Sequence, residues 1–299
     1  MKRTQTKQQN EALTYFGNYA GDWERKAQTA KHTEVNVIVQ RNDFVLKVVK
    51  ERKSTRSVLD VGCGTGDLVC ALAKKGTTAV GIDFAKEMIE RARTHAQAKH
   101  LTKACFEHVS VFDYMAPAGA FDVVSANGFI EYISYAELEQ FLSRSSGMLA
   151  RGGSLVMGSR NRLFNLFSLN TFTKEEIQEG NVLTLLSEAL AVATAKRISD
   201  LSGVKALPLQ KAGKKHAGTG IHVATRYQFT PVQLITLLRT YGLETVELFP
   251  IHIHGAPPSF KEIYPDVHGH ISNLLQTYAE GNMNLIPQAS SFMVHAKKK

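Results

Sequence analysis

Three glycines at alternate positions, Gly62, Gly64 and Gly66, follow directly on an apolar run at residues 58–61 and lead into a helical pattern. Glycine lets a chain turn sharply and admits a ligand to contact with main-chain atoms, while the helix N-terminus beyond it offers free N–H groups. The next apolar run closes on Asp83, 17 residues after Gly66. A carboxylate at that place can accept two hydrogen bonds from a ribose diol. The chemistry indicated is recognition of a nucleoside-bearing ligand across strand ends. Position 67 is aspartate where a dinucleotide fingerprint carries its third glycine, and no Gly-Lys-Ser/Thr closes the loop. NAD and phosphate-loop binding of ATP are both disfavoured.

A second group of candidates lies outside this segment. Arg160, Arg162, Phe164 and Asn165 follow the run at 154–158 directly, and ligands bind at the C-terminal ends of strands in open α/β sheets. The arginines could clamp an anionic group with Phe164 as an apolar wall, or form a solvated basic turn before core aromatics. Of the histidines in the C-terminal third, His222, His252, His254, His268 and His270 are candidates for a general base, the usual role of histidine at neutral pH, with His222, His252 and His254 put first. His252 and His254 lie two apart beyond an expected strand at 245–249. That spacing permits a shared metal, but with no carboxylate partner nearby the expectation is no metal site.

The elements that must carry these residues alternate regularly. Apolar runs at 58–61, 80–83, 121–125 and 154–158 read as strands, and helical patterns at 68–74, 86–98 and 135–148 fall between them. Strict alternation implies a parallel, doubly wound sheet. Residues 1–56, basic and aromatic, read as an N-terminal helical cap. The core follows at 57–159, an inserted lid at 160–226, and a completion of the sheet at 227–299 with a helix at 231–241 and strands at 245–249 and near 291–295. Within the insertion, Val182, Leu185, Leu186, Ala189, Leu190 and Ala193 recur at helical spacing as one buried face, before a lysine- and glycine-rich loop at 203–220.

Composition bounds the class. The chain of 299 residues is 43% apolar and 21% charged, which fits a folded protein with a substantial core and excludes disorder throughout. A net charge of +9 favours anionic partners without specifying one. No stretch approaches the ~18 apolar residues of a spanning helix, and Cys63, Cys70 and Cys105 have no zinc-type spacing. A cytoplasmic protein with reduced thiols and no membrane insertion is expected.

The pattern Asp60-x-Gly62-x-Gly64-x-Gly66, with Gly81-Ile-Asp83 after it and Phe121-Asp-Val-Val124 further on, resembles the class I S-adenosylmethionine-dependent methyltransferases. The resemblance covers residues 57–158 and, more weakly, 227–249. It implies a Rossmann-like mixed sheet of seven strands with the last antiparallel, and S-adenosylmethionine as cofactor. It further implies that Asp60 and the loop of Gly62, Cys63, Gly64 and Gly66 face the methionine part, and that Asp83 holds the ribose. Phe84 and Met88 would pack on adenine or serve as core. Ser110, beside Val111, stands where the family often has an acid, with Asp113 as the alternative. Asn127 begins the stretch beside the transferable methyl group, where the family's frequent Glu-His is here Glu131-Tyr132. Tyr19, four residues after Tyr15, would be a lid or a staple of its helix.

Asn127-Gly-Phe-Ile stands where resembling amino-group enzymes carry an acidic-Pro-Pro-Tyr type motif, which points to oxygen as the acceptor atom. The expectation is O-methylation of a small biosynthetic intermediate: a natural product, a lipophilic intermediate or a sugar. An RNA or protein methyltransferase, suggested by the basic charge, and a non-catalytic cofactor binder are the alternatives. Nucleic acid is disfavoured by the absence of a recognisable RNA-binding module.

Overall fold

The structure is a computed structural model that describes residues 7–19, 21, 25, 35–52, 54–210 and 227–299. Among the described residues, helices α1 (Lys7–Asn18) and α2 (Val37–Glu51) precede the first strand. The alternating core then runs β1 (Ser57–Val61), α3 (Asp67–Lys74), β2 (Thr78–Asp83), α4 (Lys86–Ala98), β3 (Ala104–His108), β4 (Phe121–Ala126), α5 (Tyr135–Met148) and β5 (Leu149–Arg160). Three helices follow: α6 (Asn165–Ser168), α7 (Thr171–Gln178) and α8 (Val182–Thr194). The described chain resumes with α9 (Pro231–Thr240), β6 (Leu243–Ile253), α10 (Ser259–Ile263), α11 (Pro265–Gln276) and β7 (Ala289–Lys298).

The seven strands form one sheet in the order β3-β2-β1-β4-β5-β7-β6, parallel except for β7, which runs antiparallel to both β5 and β6. Strand alternation assigns successive residues to opposite faces. Val58, Val123 and Val156 pack under α2, α3 and α4, while Leu59, Val124 and Leu155 pack under α5, α8 and α9. The central strands are buried on both faces, which is why they read as nearly continuous apolar runs.

Several elements differ from the sequence reading. The edge strand β3 has one buried side chain, Phe106, so its apolar signal is weak. Strand β6 extends beyond the expected 245–249 and β5 runs on past 158 because pairing with β7 continues along both, and β5 begins earlier, at Leu149, which pairs with Phe121 of β4. His252 accordingly lies inside β6. Helix α2 contributes Phe44, Val45 and Val48 to the core beneath the sheet and is no cap, whereas α1 does sit over the strand ends. Helix α8 buries Leu185, Glu188, Ala189 and Val192 and leaves Leu186 and Leu190 exposed, which corrects the expected face. The Glu188 carboxylate accepts a hydrogen bond from the Val232 N–H in the first turn of α9, 2.9 Å away, and this contact selects the buried side of a helix that is apolar nearly all round.

The chain leaves β1 toward β2 and β3, then returns to build β4 and β5 on the other side. The topological switch therefore falls between β1 and β4, where a crevice opens at the strand C-termini. The loops after these two strands meet there: a Cβ built on Gly62 would lie 3.4 Å from the Phe129 ring.

Candidate active site

One cavity of about 1590 Å³ occupies this crevice. Ligand pockets commonly measure about 300–1,000 Å³, so this one has room for two molecules side by side. One end is built by the loops after β1, β2 and β3, and the other by the ends of β5 and β6 with α6, α7 and α10.

At the first end Gly62, Gly64 and Gly66 all have positive φ, at 68°, 54° and 80°. Their uses differ. A Cβ on Gly64 would meet no atom within 4 Å, so its main chain faces open space. A Cβ on Gly66 would come within 2.7 Å of the Phe106 ring and 2.8 Å of Ala92, so this glycine serves packing and does not line the cavity. The Asp83 carboxylate accepts hydrogen bonds from the N–H of Gly64 at 3.0 Å and of Ala85 at 2.9 Å. It thus holds the glycine loop against β2, and each oxygen keeps a further lone pair for a ligand.

Asp60, nearly buried, accepts a hydrogen bond of 2.6 Å from the Ser125 hydroxyl. Burial pushes its carboxyl up to about 7, Ser125 opposes this, and the neighbouring Asp83 and Asp67 add to it. Burial also raises Asp83, against the backbone N–H groups of Ala85, Gly64 and Phe84. Three carboxylates crowded at one end of a cavity are a receptor for positive charge. The Cys63 thiol lines the same wall, and burial holds it well above the usual thiol range. Phe84, Met88, Ser110, Val111, Asp113 and Asn127 complete this end. Ser110 and Asp113 both line it, and Asn127 donates to Asn42 of α2 at 3.0 Å. Tyr19 does not line the cavity: it stacks on Tyr15 at 4.8 Å, and Phe16 from the same helix takes the lining position, edge-on to Tyr132 at 5.2 Å.

At the far end Arg160 donates from Nε to Glu131 Oε2 at 2.9 Å, and Arg41 stands 4.0 Å from the other carboxylate oxygen while donating to Ser291. Phe164 and Asn165 line this end as well, but the Asn165 amide is engaged with Glu176 and Gln228. Arg162 does not reach the cavity. It is buried with its guanidinium on Glu176 and on the Pro208 carbonyl, so the structure separates two arginines that the sequence grouped.

His252 and His254 line the far end, their ring centroids 4.1 Å apart, and His254 stacks against Phe164 at 4.5 Å. Burial lowers both, and His254 falls to about 3 with further repulsion from His268 and Lys261. Both are neutral imidazoles at pH 7, with lone pairs able to accept a proton or bind an ion. His222 lies outside the described residues. Arg41 and Lys261 have no sequence signal, while Glu131 is marked by the resemblance and His268 is one of several candidate histidines; the four converge from α2, α10, the turn after β4 and α11.

A family model described as a methyltransferase domain matches residues 58–153. The ubiquinone biosynthesis O-methyltransferase of Coxiella burnetii is 25% identical over 216 residues, which cover 67% of this chain and 87% of the relative. The magnesium protoporphyrin IX methyltransferase of Synechocystis PCC 6803, solved with S-adenosylhomocysteine, superposes with a TM-score of 0.58 at 14% identity, over 98% of this chain and 100% of that one. The 1,6-didemethyltoxoflavin-N1-methyltransferase of Burkholderia thailandensis, solved with its acceptor and S-adenosylhomocysteine, gives a TM-score of 0.56 at 12% identity, over 100% and 93% of the two chains.

Proposed function

We propose that this chain, a class I S-adenosylmethionine-dependent methyltransferase by its domain and fold, methylates an oxygen atom of a small, lipophilic biosynthetic intermediate. The observation that carries this reading is the continuous cavity, acidic and glycine-lined at one end, with phenylalanines, histidines and Arg160 at the other. S-adenosylmethionine supplies a methyl group already activated on a positively charged sulfur. The chain's own task is then alignment and exclusion of water. Asp83 receives the ribose hydroxyls, Gly64 lets the main chain approach, and Asp60 with its acidic neighbours favours the positive charge. Phe84 and Met88 offer an apolar surface to the base, and Ser110 or Asp113 a polar contact.

Phe164 and Phe172 wall the acceptor end, α6 and α7 in the first part of the 160–226 segment close over it, and α1 covers the other end beside Phe84 and Met88. Such enclosure fits a small acceptor better than an RNA. An acceptor hydroxyl must shed its proton in or near the transition state, and His252 and His254 line the end of the cavity assigned to the acceptor. The O-methyltransferase name of the Coxiella relative supports oxygen as the acceptor atom and a lipophilic intermediate as the acceptor. The fold leaves that choice open, since the Burkholderia neighbour is named as an N-methyltransferase. The unpaired Cys63, Cys70 and Cys105 fit a reducing, cytoplasmic setting. Among the described residues no helix is long and apolar enough to cross a membrane.

The test is calorimetric titration with S-adenosylhomocysteine, followed by transfer of labelled methyl from S-adenosylmethionine to hydroxylated lipophilic aromatics. Saturable binding that Asp83→Ala weakens at least tenfold, and label recovered in an ether product, are expected. Well-folded protein that binds no S-adenosylhomocysteine overturns the reading.

A further inference from the structure

We propose that His252, His254 and His268 form a binding site for one divalent cation of the zinc class, with a coordination position left open toward the acceptor end of the cavity. One ring nitrogen from each histidine lies within 4.8 Å of the others. His252 Nε2 and His268 Nε2 are 3.2 Å apart. Two imidazole nitrogens each about 2.0–2.1 Å from a tetrahedral ion lie about 3.3 Å from one another, so this pair already has the separation that a shared ion sets.

The third histidine is the independent observation. His254 is 7% exposed, and neither of its ring nitrogens has a hydrogen-bond partner. A direct hydrogen bond between His252 and His268 would account for their contact, but it leaves His254 buried with two unsatisfied polar atoms. Buried polar groups are nearly always partnered, so such an orphaned ring calls for a ligand. A cation bound by all three would take one of those two nitrogens as its ligand. The opposite nitrogen of His252, Nδ1, is 3.2 Å from the Ser290 hydroxyl, the kind of outer contact that orients a ligating imidazole and directs Nε2 to the ion.

The backbone is arranged for this convergence. His252 has a φ of +55°, sparsely populated for a residue with a side chain, and this turn at the end of β6 places its ring beside that of His254. His268 arrives from α11. That helix approaches so closely that a Cβ on Gly255 would fall 2.5 Å from Ile271. Lys261 and Glu262, adjacent in α10, line the same end with opposite charges.

Three protein ligands with one open position is the pattern of catalytic zinc centres. The site itself does not depend on the proposed function, but its role does. An acceptor hydroxyl in the open position loses its proton to water under the cation's field. The oxygen lone pair then forms the O–CH3 bond as the S–CH3 bond breaks, and the sulfonium takes that electron pair to become a neutral thioether.

The test uses untagged full-length protein, stripped with chelator and titrated with Co2+ while visible absorption is recorded, then with Zn2+ as competitor. His254→Gln and His268→Gln are titrated in parallel, and S-adenosylhomocysteine binding is measured on all three. One Co2+ per chain, with the strong absorption of a tetrahedral complex, displaced by Zn2+ and weakened roughly 10–100-fold or more in both variants, supports the site. Protein that binds S-adenosylhomocysteine but takes up no Co2+, or a cobalt spectrum that persists in His254→Gln, overturns it. Cobalt binding without S-adenosylhomocysteine binding supports the site and overturns the methyltransferase reading instead.

Discussion

The guanidinium of Arg162 clasps the carboxylate of Glu176 through two hydrogen bonds of 2.8 and 2.9 Å, with both side chains buried. Burial pushes Glu176 up, and Arg162 with Asn165 and Asn181 more than offsets it, holding the carboxyl below its usual range. The pair ties the segment after β5 to α7, and Arg162 also holds the Pro208 carbonyl. Two positions earlier, Arg160 lines the cavity and is partly exposed.

The two arginines should therefore separate cleanly on mutation. Arg162→Ala leaves Glu176 charged and buried without its partner, at a cost of about 3–5 kcal/mol. A large drop in melting temperature is expected. Arg160→Ala takes the 2.9 Å partner from Glu131 but leaves Arg41 4.0 Å from that carboxylate, so it should lower the melt less, raise the acceptor KM and spare S-adenosylhomocysteine affinity. Equal destabilisation in the two variants would mean that Arg160 too is structural.

Gly64 and Gly66 should likewise part company. Gly64→Ala meets no neighbouring atom, so it should fold with a strain of about 1 kcal/mol from its positive φ, yet lose most cofactor affinity because the new methyl fills the ligand's approach. Gly66→Ala drives a methyl into Phe106 and Ala92 and should destabilise by a few kcal/mol, as overpacking does. Thermal melts paired with calorimetric titration check both, and full binding by Gly64→Ala would refute the approach assigned to that loop.

Asp60 predicts a pH dependence. Its folded-state carboxyl is raised to about 7, above its ordinary 3.8. Its contribution to the stability of the ligand-free protein is therefore fully present below pH 3.8 and lost as pH rises through about 7. A cation beside it favours the ionised form, so binding of S-adenosylmethionine should release a proton and tighten as pH rises from 6 to 8. Calorimetry in buffers of different ionisation enthalpy measures that proton. Asp60→Asn should abolish the release, and an unchanged release in that variant would assign it elsewhere.

Much of the nucleotide-type end was legible in the chain because its parts are local. Gly62, Gly64, Asp60 and Asp83 belong to one strand-helix-strand unit, and the conformational demand on glycine and the placement of a carboxylate at a strand end are expressed within that unit. The alternation that set the order of strands and helices is local in the same sense. Helix α8 shows where such reasoning stops. With leucines at 183, 185, 186 and 190, periodicity cannot choose a side, and the choice fell to the contact of Glu188 with α9.

The sequence by itself thus determined the doubly wound core, the glycine turn and the acidic residues that line one end of the cavity. Only the tertiary structure decided that Arg160 faces the cavity while Arg162 is spent on Glu176, and that His268 joins His252 and His254. Those outcomes depend on which distant elements meet at the ends of β5 and β6. The burial and charge of a side chain there are set by partners from α7, α10 and α11, and spacing along one segment carries no record of them.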